Sequence, residues 1–335
     1  MMKLKYLFDN RDLSLMLLEN WDYDKTNTEI LNNYRISSNA VYPFKNNGKT
    51  FFLRYAPLKE KSYASLLAEL DFMKFLQGRG YSVAAAVTAK NGKNCVLAGT
   101  PWGKYLAAVF ERAPGAQLSV IPYSPALYTK YGEALAALHC LSSEYDCPGK
   151  RMRPDYVKIL GWCQRVFEKY NAPAPAFEES ALINRRLSAL PKNRGYYGLI
   201  HYDFEPDNVF FDEKNGAVTP IDFDDCMYHW FAMDIEQAVD SIRNELPQAE
   251  EQAVRDFLNG YQRVKKLDDD TFHTLPLFRR FADLYAYARC LRASAEKWQN
   301  EPEWMTNLRG RLNDRAFKAG LAFGKDIAPG PVIEF

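Results

Sequence analysis

The sequence is poor in the features that mark secreted, zinc-binding and membrane-spanning proteins. Its six cysteines are scattered without a Cys-x-x-Cys pair, and its four histidines are equally dispersed, which argues against a disulfide framework and a zinc site. No run approaches the ~20 apolar residues of a membrane span, and the charged start of the chain does not look like a signal peptide. We therefore expect reduced thiols, a cytoplasmic location and no membrane partner.

An excess of charge of one sign is also missing. Lys plus Arg number 43 and Asp plus Glu number 42, so the formal net charge is +1. No block of like charges is long enough for a nucleic-acid-binding tail, and nucleic acid is not an expected partner. What the chain does have is apolar content, since 47% of its 335 residues are hydrophobic. This is enough for one large domain or two modest domains with a substantial core.

A carboxylate-rich stretch, residues 198–225, predicts a β-hairpin. Two apolar runs in it flank an Asn-Gly pair, which is the strongest short-range hairpin signal. A three-residue loop, 214–216, with Gly216 left-handed would place Asn208 directly across from Asp222. A strict two-residue turn would leave these two side chains on opposite faces of the ribbon. We expect the three-residue loop, because it sets a carboxamide oxygen beside a carboxylate at the open end of the hairpin.

The pair of Asn208 and Asp222 suits a small, hard cation. Mg²⁺ prefers oxygen ligands, keeps several waters and takes only one or two protein carboxylates together with substrate phosphates. Asp203 lies five residues before Asn208 and two residues after His201. Protein kinases use this order and spacing of His-x-Asp, Asn and a later Asp-Phe for their catalytic base and metal ligands. The stretch thus predicts Asp203 as the base.

These motifs resemble the catalytic segment of the aminoglycoside phosphotransferase and choline kinase family, which are small-molecule kinases with the protein kinase fold. Two departures from protein kinases favour a small-molecule substrate. Tyr202 replaces the arginine of the catalytic loop, and Asp224 replaces the glycine that follows Asp222-Phe223. The sequence also shows no activation-segment signature ending in Ala-Pro-Glu. The resemblance spans most of residues 34–290, and its specific motifs are concentrated around the hairpin.

The resemblance implies an α+β, protein kinase-like two-lobe fold. An N-terminal nucleotide-binding lobe, residues 1–113, would hold an antiparallel sheet and one main helix. A mostly helical C-terminal catalytic and acceptor-binding lobe, residues 114–335, would hold the hairpin. Local patterns agree with the first lobe. Strand-like runs between residues 34 and 55, separated by an Asn-Gly turn, predict a three-strand meander, and residues 61–77 predict a helix with Ser62 as its cap.

Within this fold, the resemblance places Arg54 where kinases have the basic residue that grips the α- and β-phosphates. Lys49 is an alternative for this role. Glu69 on the following helix would be the ion-pair partner. No Gly-rich phosphate loop is present, but Ser38 and Asn39 stand where the family often has a serine- or asparagine-bearing loop. Their backbone N–H groups could cradle phosphates, although the same residues also suit an ordinary turn.

Further positions take their expected roles from the same resemblance. Glu111 and Ala113 lie at the expected hinge, whose backbone would hydrogen-bond the base of ATP or GTP. His201 is expected to stabilise the catalytic loop, because the kinase mechanism leaves it no proton to move. Asp234 is well placed to cap the helix that follows, and the family's aspartate here also anchors the catalytic loop through its backbone.

The predicted reaction is ATP- or GTP-dependent phosphorylation of a hydroxyl group on a small molecule, assisted by Mg²⁺. Glu205, Asp224 and Asp225 would favour a cationic acceptor such as an amino sugar, choline or ethanolamine. Alternatively, these carboxylates are solvated or tie down the loop, and then homoserine and sugar-like metabolites are equally suitable acceptors. The sequence leaves the oligomeric state open.

Two other functions compete with this prediction. The first is a catalytically silent pseudokinase or scaffold that binds nucleotide, but the intact Asp203, Asn208 and Asp222 argue against it. The second is a metal-dependent hydrolase built on the aspartates. Two-metal hydrolases usually bridge their ions with carboxylates and histidines from several strands, whereas only His201 and His229 lie near in sequence.

Overall fold

The structure is a computed structural model that describes residues 1–147 and 153–330. Its strands, in chain order, are β1 (Arg35–Ile36), β2 (Ala40–Asn46), β3 (Lys49–Pro57), β4 (Ala86–Val87), β5 (Val96–Thr100), β6 (Gly103–Glu111), β7 (Ala116–Gln117), β8 (Tyr197–Ile200), β9 (Val209–Asp212), β10 (Ala217–Pro220) and β11 (Met227–Trp230). Its α-helices are α1 (Arg11–Leu18), α2 (Tyr63–Gly78), α3 (Pro125–Glu144), α4 (Tyr156–Lys169), α5 (Ala174–Ser188), α6 (Ala232–Glu245), α7 (Glu250–Val264), α8 (Asp269–Ser294) and α9 (Glu303–Gly320). Within the described ranges no helix has the length and apolarity needed to span a bilayer.

The chain divides into two compact units. The first consists of Met1–Asp71, Ala84–Arg112 and Arg289–Ala316. The second consists of Phe72–Val83, Ala113–Ala288 and Phe317–Phe335. The division after Arg112 lies one residue before the boundary between the predicted lobes 1–113 and 114–335. Two segments differ from the predicted lobes, since residues 72–83 belong to the second unit and residues 289–316 belong to the first.

Packing explains both reassigned segments. Phe72 packs against Tyr145 with ring centroids 4.9 Å apart, and the Tyr81 hydroxyl donates to the carbonyl of Ala134 at 3.0 Å. The segment 72–83 therefore belongs with α3. At the other end of the chain, buried residues near the C-terminus of α8 form a hydrophobic cluster with Leu4 of the first unit.

The first unit contains the antiparallel sheet β1-β2-β3-β6-β4, with β5 also paired to β6. The predicted meander is present, and its second turn is the two residues Asn47 and Gly48, with φ of 50° and 75°. Two left-handed residues are what a type I′ hairpin turn requires, and Asn-Gly supplies them at low cost. The predicted cap of α2 is also confirmed, since the N–H of Ser65 donates to the Ser62 side chain at 3.0 Å.

The second unit is mostly helical and includes a very close helix pair, α3 and α7. A Cβ atom added at Gly132 would lie 1.8 Å from the carbonyl oxygen of Phe257, and one at Gly260 would lie 2.0 Å from that of Thr129. Both helices therefore need glycine where their backbones approach each other. This packing matters for the site below, because each helix contributes a side chain to the network that holds the predicted catalytic loop.

Candidate active site

Strands β9 and β10 form the predicted hairpin, but its loop has four residues rather than three. Asp212 pairs with Ala217, so residues 213–216 form the loop. Gly216 is left-handed with φ 71°, as predicted. The strand ends one residue early because the Asp212 carboxylate accepts the N–H of Lys214 at 3.1 Å. Aspartate favours such turns through its short acceptor side chain.

The longer loop shifts the register by one residue. Asn208 now lies across from Ile221, whose N–H donates to the Asn208 carbonyl at 2.8 Å. The prediction that Asn208 lies directly across from Asp222 is therefore wrong. Asp222 is the next residue, and it has a left-handed backbone with φ 62°. Such a conformation costs about 1–3 kcal/mol in a residue other than glycine and is concentrated at functional sites.

Asp203 and Asn208 are brought together as direct neighbours. The Asn208 side-chain nitrogen donates to the Asp203 carboxylate at 2.8 Å and to the Asp203 carbonyl at 3.1 Å. Asn208 is buried, whereas Asp203 is half-buried. These hydrogen bonds restrict the Asp203 side chain and direct the amide nitrogen of Asn208 toward it. The carboxamide oxygen is then the atom of Asn208 suited to a cation.

His201 forms hydrogen bonds both to the loop at Asp203 and to the end of the hairpin at Ile221. Its Nδ1 accepts the N–H of Asp203 at 3.2 Å, and its Nε2 donates to the carbonyl of Ile221 at 3.0 Å. An amide nitrogen can only donate and a carbonyl can only accept, so the ring is the neutral Nε2–H tautomer. Complete burial lowers its pKa from 6.5 to about 4. The ring thus links the Asp203 backbone to the residue before Asp222 while staying uncharged.

Asp234 holds the backbone of the same loop. Its carboxylate is fully buried and accepts the N–H groups of His201 at 2.9 Å and Tyr202 at 2.7 Å. Tyr202 has φ 68°, so these bonds stabilise a second left-handed residue next to Asp203. The prediction that Asp234 caps the following helix is wrong. Helix α6 begins at Ala232, and no side chain caps it, because the carboxylate is directed to the loop instead.

Two residues that the sequence did not link to this site complete the Asp234 network. His139 Nε2 donates to the Asp234 carboxylate at 3.1 Å, and the Tyr261 hydroxyl lies 2.8 Å from His139 Nδ1. Burial lowers the pKa of His139. His139 belongs to α3 and Tyr261 to α7, so the glycine-mediated helix pair positions the carboxylate that in turn holds the loop.

The three predicted acceptor-binding carboxylates, Glu205, Asp224 and Asp225, are all half-buried. A residue missed by sequence reasoning, Arg153, holds the backbone of this segment. Its Nε donates to the carbonyl of Cys226 at 2.7 Å and one terminal nitrogen donates to the carbonyl of Asp224 at 2.5 Å. Arg153 is buried, so the segment after Asp222 is held by a side chain that lies 71 positions before Asp224 in the chain.

Arg54 and Glu69 form the predicted ion pair in the first unit. Their closest nitrogen and oxygen atoms are 2.8 Å apart, and the side chains are only 9% and 1% exposed. The Arg54 guanidinium also lies over the Phe110 ring at 4.6 Å. Lys49, the alternative phosphate ligand, is exposed at the start of β3. A buried pair of this kind gains little net stability, because both charges lose water.

The predicted phosphate loop is the connection between β1 and β2. The N–H of Ser37 donates to the carbonyl of Asn39 at 2.9 Å, which closes a tight turn, and Asn39 is buried. Ser38 accepts a hydrogen bond from Arg289 at 3.2 Å. At the expected hinge, the N–H of Glu111 donates to the Ala85 carbonyl at 2.9 Å.

His229, the second histidine that bore on the hydrolase alternative, does not join a polar cluster. It is fully buried, and neither ring nitrogen has a hydrogen-bond partner within the described part of the chain. Its neighbours are aromatic, and the closest ring, Phe281, is centred 4.6 Å away. No three His, Cys, Asp or Glu side chains form a metal-binding group in residues 1–147 and 153–330.

We expect His229→Phe to reduce the acid sensitivity of folding. Burial lowers the pKa of His229 from 6.5 to about 3, so the unfolded chain takes up a proton at a higher pH than the folded protein. Wild-type stability is therefore lost as the pH falls below 6.5, by about 2 kcal/mol at pH ~5 from this residue. Urea unfolding at neutral pH and at pH ~5 measures the difference.

The matched control for this experiment is the exposed His273 on α8. His273→Phe should leave the pH dependence of the unfolding free energy as it is in the wild type. A His229→Phe protein with the wild-type pH dependence would show that His229 does not lose its proton on folding.

The fold and the site together define a class of protein. Kinases have a sheet that carries a buried Arg–Glu pair. They also have a helical unit in which His-x-Asp, Asn and a later Asp lie on a loop and a hairpin. Both features are present in this structure. The family model described as phosphotransferase enzyme family matches residues 35–267. The chain belongs to this family.

Curated relatives are named as small-molecule kinases. The chain is 25% identical over 264 residues to the amicoumacin kinase of Bacillus subtilis (strain 168), which covers 75% of this chain and 76% of the relative. It is 30% identical over 221 residues to the homoserine kinase of Caulobacter vibrioides, which covers 64% of this chain and 66% of the relative. The protein is thus a small-molecule kinase that acts on an alcohol group.

Solved structures show the same fold. An amicoumacin kinase in complex with AMP-PNP, Ca²⁺ and Ami matches with a TM-score of 0.75 at 21% identity, over 96% of each chain. A microcompartment-associated aminopropanol kinase matches with a TM-score of 0.70 at 20% identity, over 93% of this chain and 95% of the other. The fold is therefore the α+β, protein kinase-like two-lobe fold that was predicted.

Proposed function

We propose that the protein transfers the γ-phosphoryl group of ATP to a hydroxyl group of a small amino alcohol or amino sugar, with Asp203 as the catalytic base. The observation that carries this proposal is the geometry around Asp203. Asn208 restrains its side chain at 2.8 Å, and His201 and Asp234 hold the backbone on either side of the loop. Phosphoryl transfer depends mainly on positioning and charge neutralisation, and a rigid carboxylate meets the first need.

In this reaction, Asp203 orients the acceptor hydroxyl and accepts its proton. The acceptor oxygen forms a bond to the γ-phosphorus, and the bond from that phosphorus to the β–γ bridging oxygen breaks, so that ADP leaves. His201 takes no proton, because its basic nitrogen, Nδ1, already accepts the N–H of Asp203 and its Nε2–H already donates to the Ile221 carbonyl. Its neutral, buried ring supports the assignment of the proton to Asp203.

Asn208 and Asp222 would hold Mg²⁺ through the carboxamide and carboxylate oxygens. The donor set fits this ion, since both ligands are oxygens and Mg²⁺ needs few protein ligands when phosphates supply the others. When bound, the ion neutralises charge on the β- and γ-phosphates. The hydrogen bonds from His201 to the Ile221 carbonyl and from Ile221 to Asn208 keep the two ligand-bearing segments in a fixed relation.

The nucleotide would be bound by residues of the first unit and the adjoining hinge. Arg54, oriented by Glu69, would contact the α- and β-phosphates, and the loop at Ser38 and Asn39 would contact phosphates through its backbone N–H groups. The carbonyl of Glu111 and the backbone of Ala113 would receive the base of ATP or GTP.

The carboxylates that lie near Asp203 in the sequence support an acceptor molecule that carries an amino group. Glu205 and Asp225 are half-buried, and the backbone around Asp224 is held by Arg153, so the acidic segment is ordered. Two of the relatives act, by their names, on aminopropanol and homoserine, which both carry a hydroxyl and an amino group. These names do not identify the acceptor of this protein, but they agree with the acidic surroundings.

The test is Mg²⁺-ATP-dependent phosphorylation of a panel that contains ethanolamine, aminopropanol, choline, homoserine, an amino sugar and a neutral sugar. We expect ADP release and a phosphate monoester, detected by ³¹P NMR, with one or more of the amines. Omission of Mg²⁺ is the control. Exclusive phosphorylation of the neutral sugar would overturn the amine assignment. Nucleotide binding without turnover on any acceptor would instead support the scaffold.

A further inference from the structure

A hydrogen bond in the first unit joins two residues that are 251 positions apart. The Arg289 guanidinium donates to the Ser38 hydroxyl oxygen at 3.2 Å. Arg289 belongs to the last two turns of α8, and Ser38 belongs to the connection between β1 and β2. Both side chains are half-buried. A side chain near the C-terminal end of α8 thus contacts the loop in which the sequence predicted phosphate binding.

The position of Arg289 is fixed by the packing of its helix turn. Cys290 and Ala293 are buried in one cluster with Leu4 and Met305. Arg292, one turn after Arg289, forms an ion pair with Glu60 at 2.8 Å. The helix therefore cannot rotate freely, and its register turns Arg289 toward the loop.

The loop itself is built differently from a glycine-rich phosphate loop. It contains no glycine, and its backbone is tied by bonds from Ser37 N–H to the Asn39 carbonyl and from Met2 N–H to the Ser37 carbonyl. A serine hydroxyl has one proton to donate and two lone pairs to accept. When the guanidinium occupies a lone pair of Ser38, the hydroxyl proton is directed away from the arginine and toward another acceptor.

We propose that Arg289 is a positioning residue for the nucleotide phosphates, acting through Ser38 and through its positive charge beside the loop. This inference rests on the proposed function, in which that loop faces the phosphates. Arginine suits the task because its guanidinium is always charged and matches the geometry of phosphate oxygens. The group recognised is the polyphosphate tail, and the contribution of Arg289 does not extend to the base.

The test compares a ligand with phosphates and a ligand without them. Calorimetry should show that Arg289→Ala weakens binding of Mg²⁺-AMP-PNP by about tenfold or more, as expected for a lost hydrogen bond in a charged setting. Binding of adenosine should be unchanged. Arg289→Lys should recover part of the affinity for Mg²⁺-AMP-PNP, because lysine restores the positive charge but lacks the planar guanidinium group. Equal losses for AMP-PNP and adenosine would overturn the proposal.

Two further variants separate positioning from general stability. Arg292→Ala removes an ion pair from the same helix turn without touching Ser38, and it should leave AMP-PNP affinity unchanged. A loss equal to that of Arg289→Ala would show that both act only through helix docking. Ser38→Ala should weaken AMP-PNP binding, and the double variant should lose less than the product of the two single losses, because the residues act on the same phosphates. Fully independent losses would contradict action through Ser38.

This experiment can fail separately from the proposed function. If the wild type phosphorylates an acceptor and Arg289→Ala keeps the wild-type affinity for AMP-PNP, only the role of Arg289 is wrong. If the wild type phosphorylates nothing but Arg289→Ala selectively weakens AMP-PNP binding, the role of Arg289 holds and the proposed reaction is wrong.

Discussion

Asp203→Asn is expected to lower kcat by about 10²- to 10⁴-fold, the range for loss of a positioned general base, while Mg²⁺-AMP-PNP still binds as to the wild type. Asparagine has nearly the same shape but cannot take the hydroxyl proton. The change also removes a charge that accepts a hydrogen bond from Asn208 at 2.8 Å. Steady-state kinetics with the best acceptor of the panel, together with calorimetry, gives both quantities.

Asp207→Asn is the matched control for this prediction. Asp207 is another half-buried aspartate of the same loop, and its carbonyl, which is kept, accepts a hydrogen bond from Gln117 at 2.5 Å. We expect a kcat close to that of the wild type. If Asp203→Asn retains full activity, the base lies elsewhere. If it loses AMP-PNP binding together with turnover, Asp203 acts on nucleotide binding and its role in proton transfer is contradicted.

Asp234→Ala is expected to destabilise the protein by about 3–5 kcal/mol, the cost of breaking a buried charged network. The change leaves the N–H groups of His201 and Tyr202 without their acceptor, and it also removes the partner of His139 Nε2. Each buried donor that loses its partner costs ~1–3 kcal/mol, and the left-handed backbone of Tyr202 loses its restraint. Urea unfolding followed by circular dichroism measures this loss.

Asp240→Ala is the control on the same helix. Asp240 pairs with Arg279 at 2.5 Å, but its side chain is 31% exposed, and pairs of this kind contribute ~0–1 kcal/mol. A small loss for Asp240 beside a large loss for Asp234 would assign the effect to the buried network. Similar losses for both variants would contradict the anchoring role of Asp234.

Local signals in the sequence were sufficient for several parts of this structure. The Asn-Gly pair at 47–48 forms the expected left-handed turn, and Ser62 caps α2. Asp203 and Asn208 are also close in the chain, and their side chains are in contact at 2.8 Å. In each case the interacting groups lie within about five residues of one another, so that backbone preference and side-chain reach decide the outcome.

The two structural errors arose where a side chain had a choice of partners. The predicted three-residue loop placed Glu213 in the strand, but the Asp212 carboxylate accepts the Lys214 N–H and the strand ends at Asp212. Asp234 was expected both to cap its own helix and to anchor the catalytic loop, and its carboxylate takes only the second role, since it binds the backbone of His201 and Tyr202. An aspartate can satisfy either local or distant N–H groups, and only the folded structure determines which donors are present.

By itself, the sequence determined the reaction class and the local order of the proposed catalytic groups, because His201, Asp203 and Asn208 lie close together in the chain. The tertiary structure decided what holds those groups. Arg153 contacts the segment after Asp222, Tyr261 supports the histidine that binds Asp234, and Arg289 reaches Ser38. These contacts depend on helices that pack together from distant parts of the chain, and no periodicity or spacing encodes which of their faces will meet.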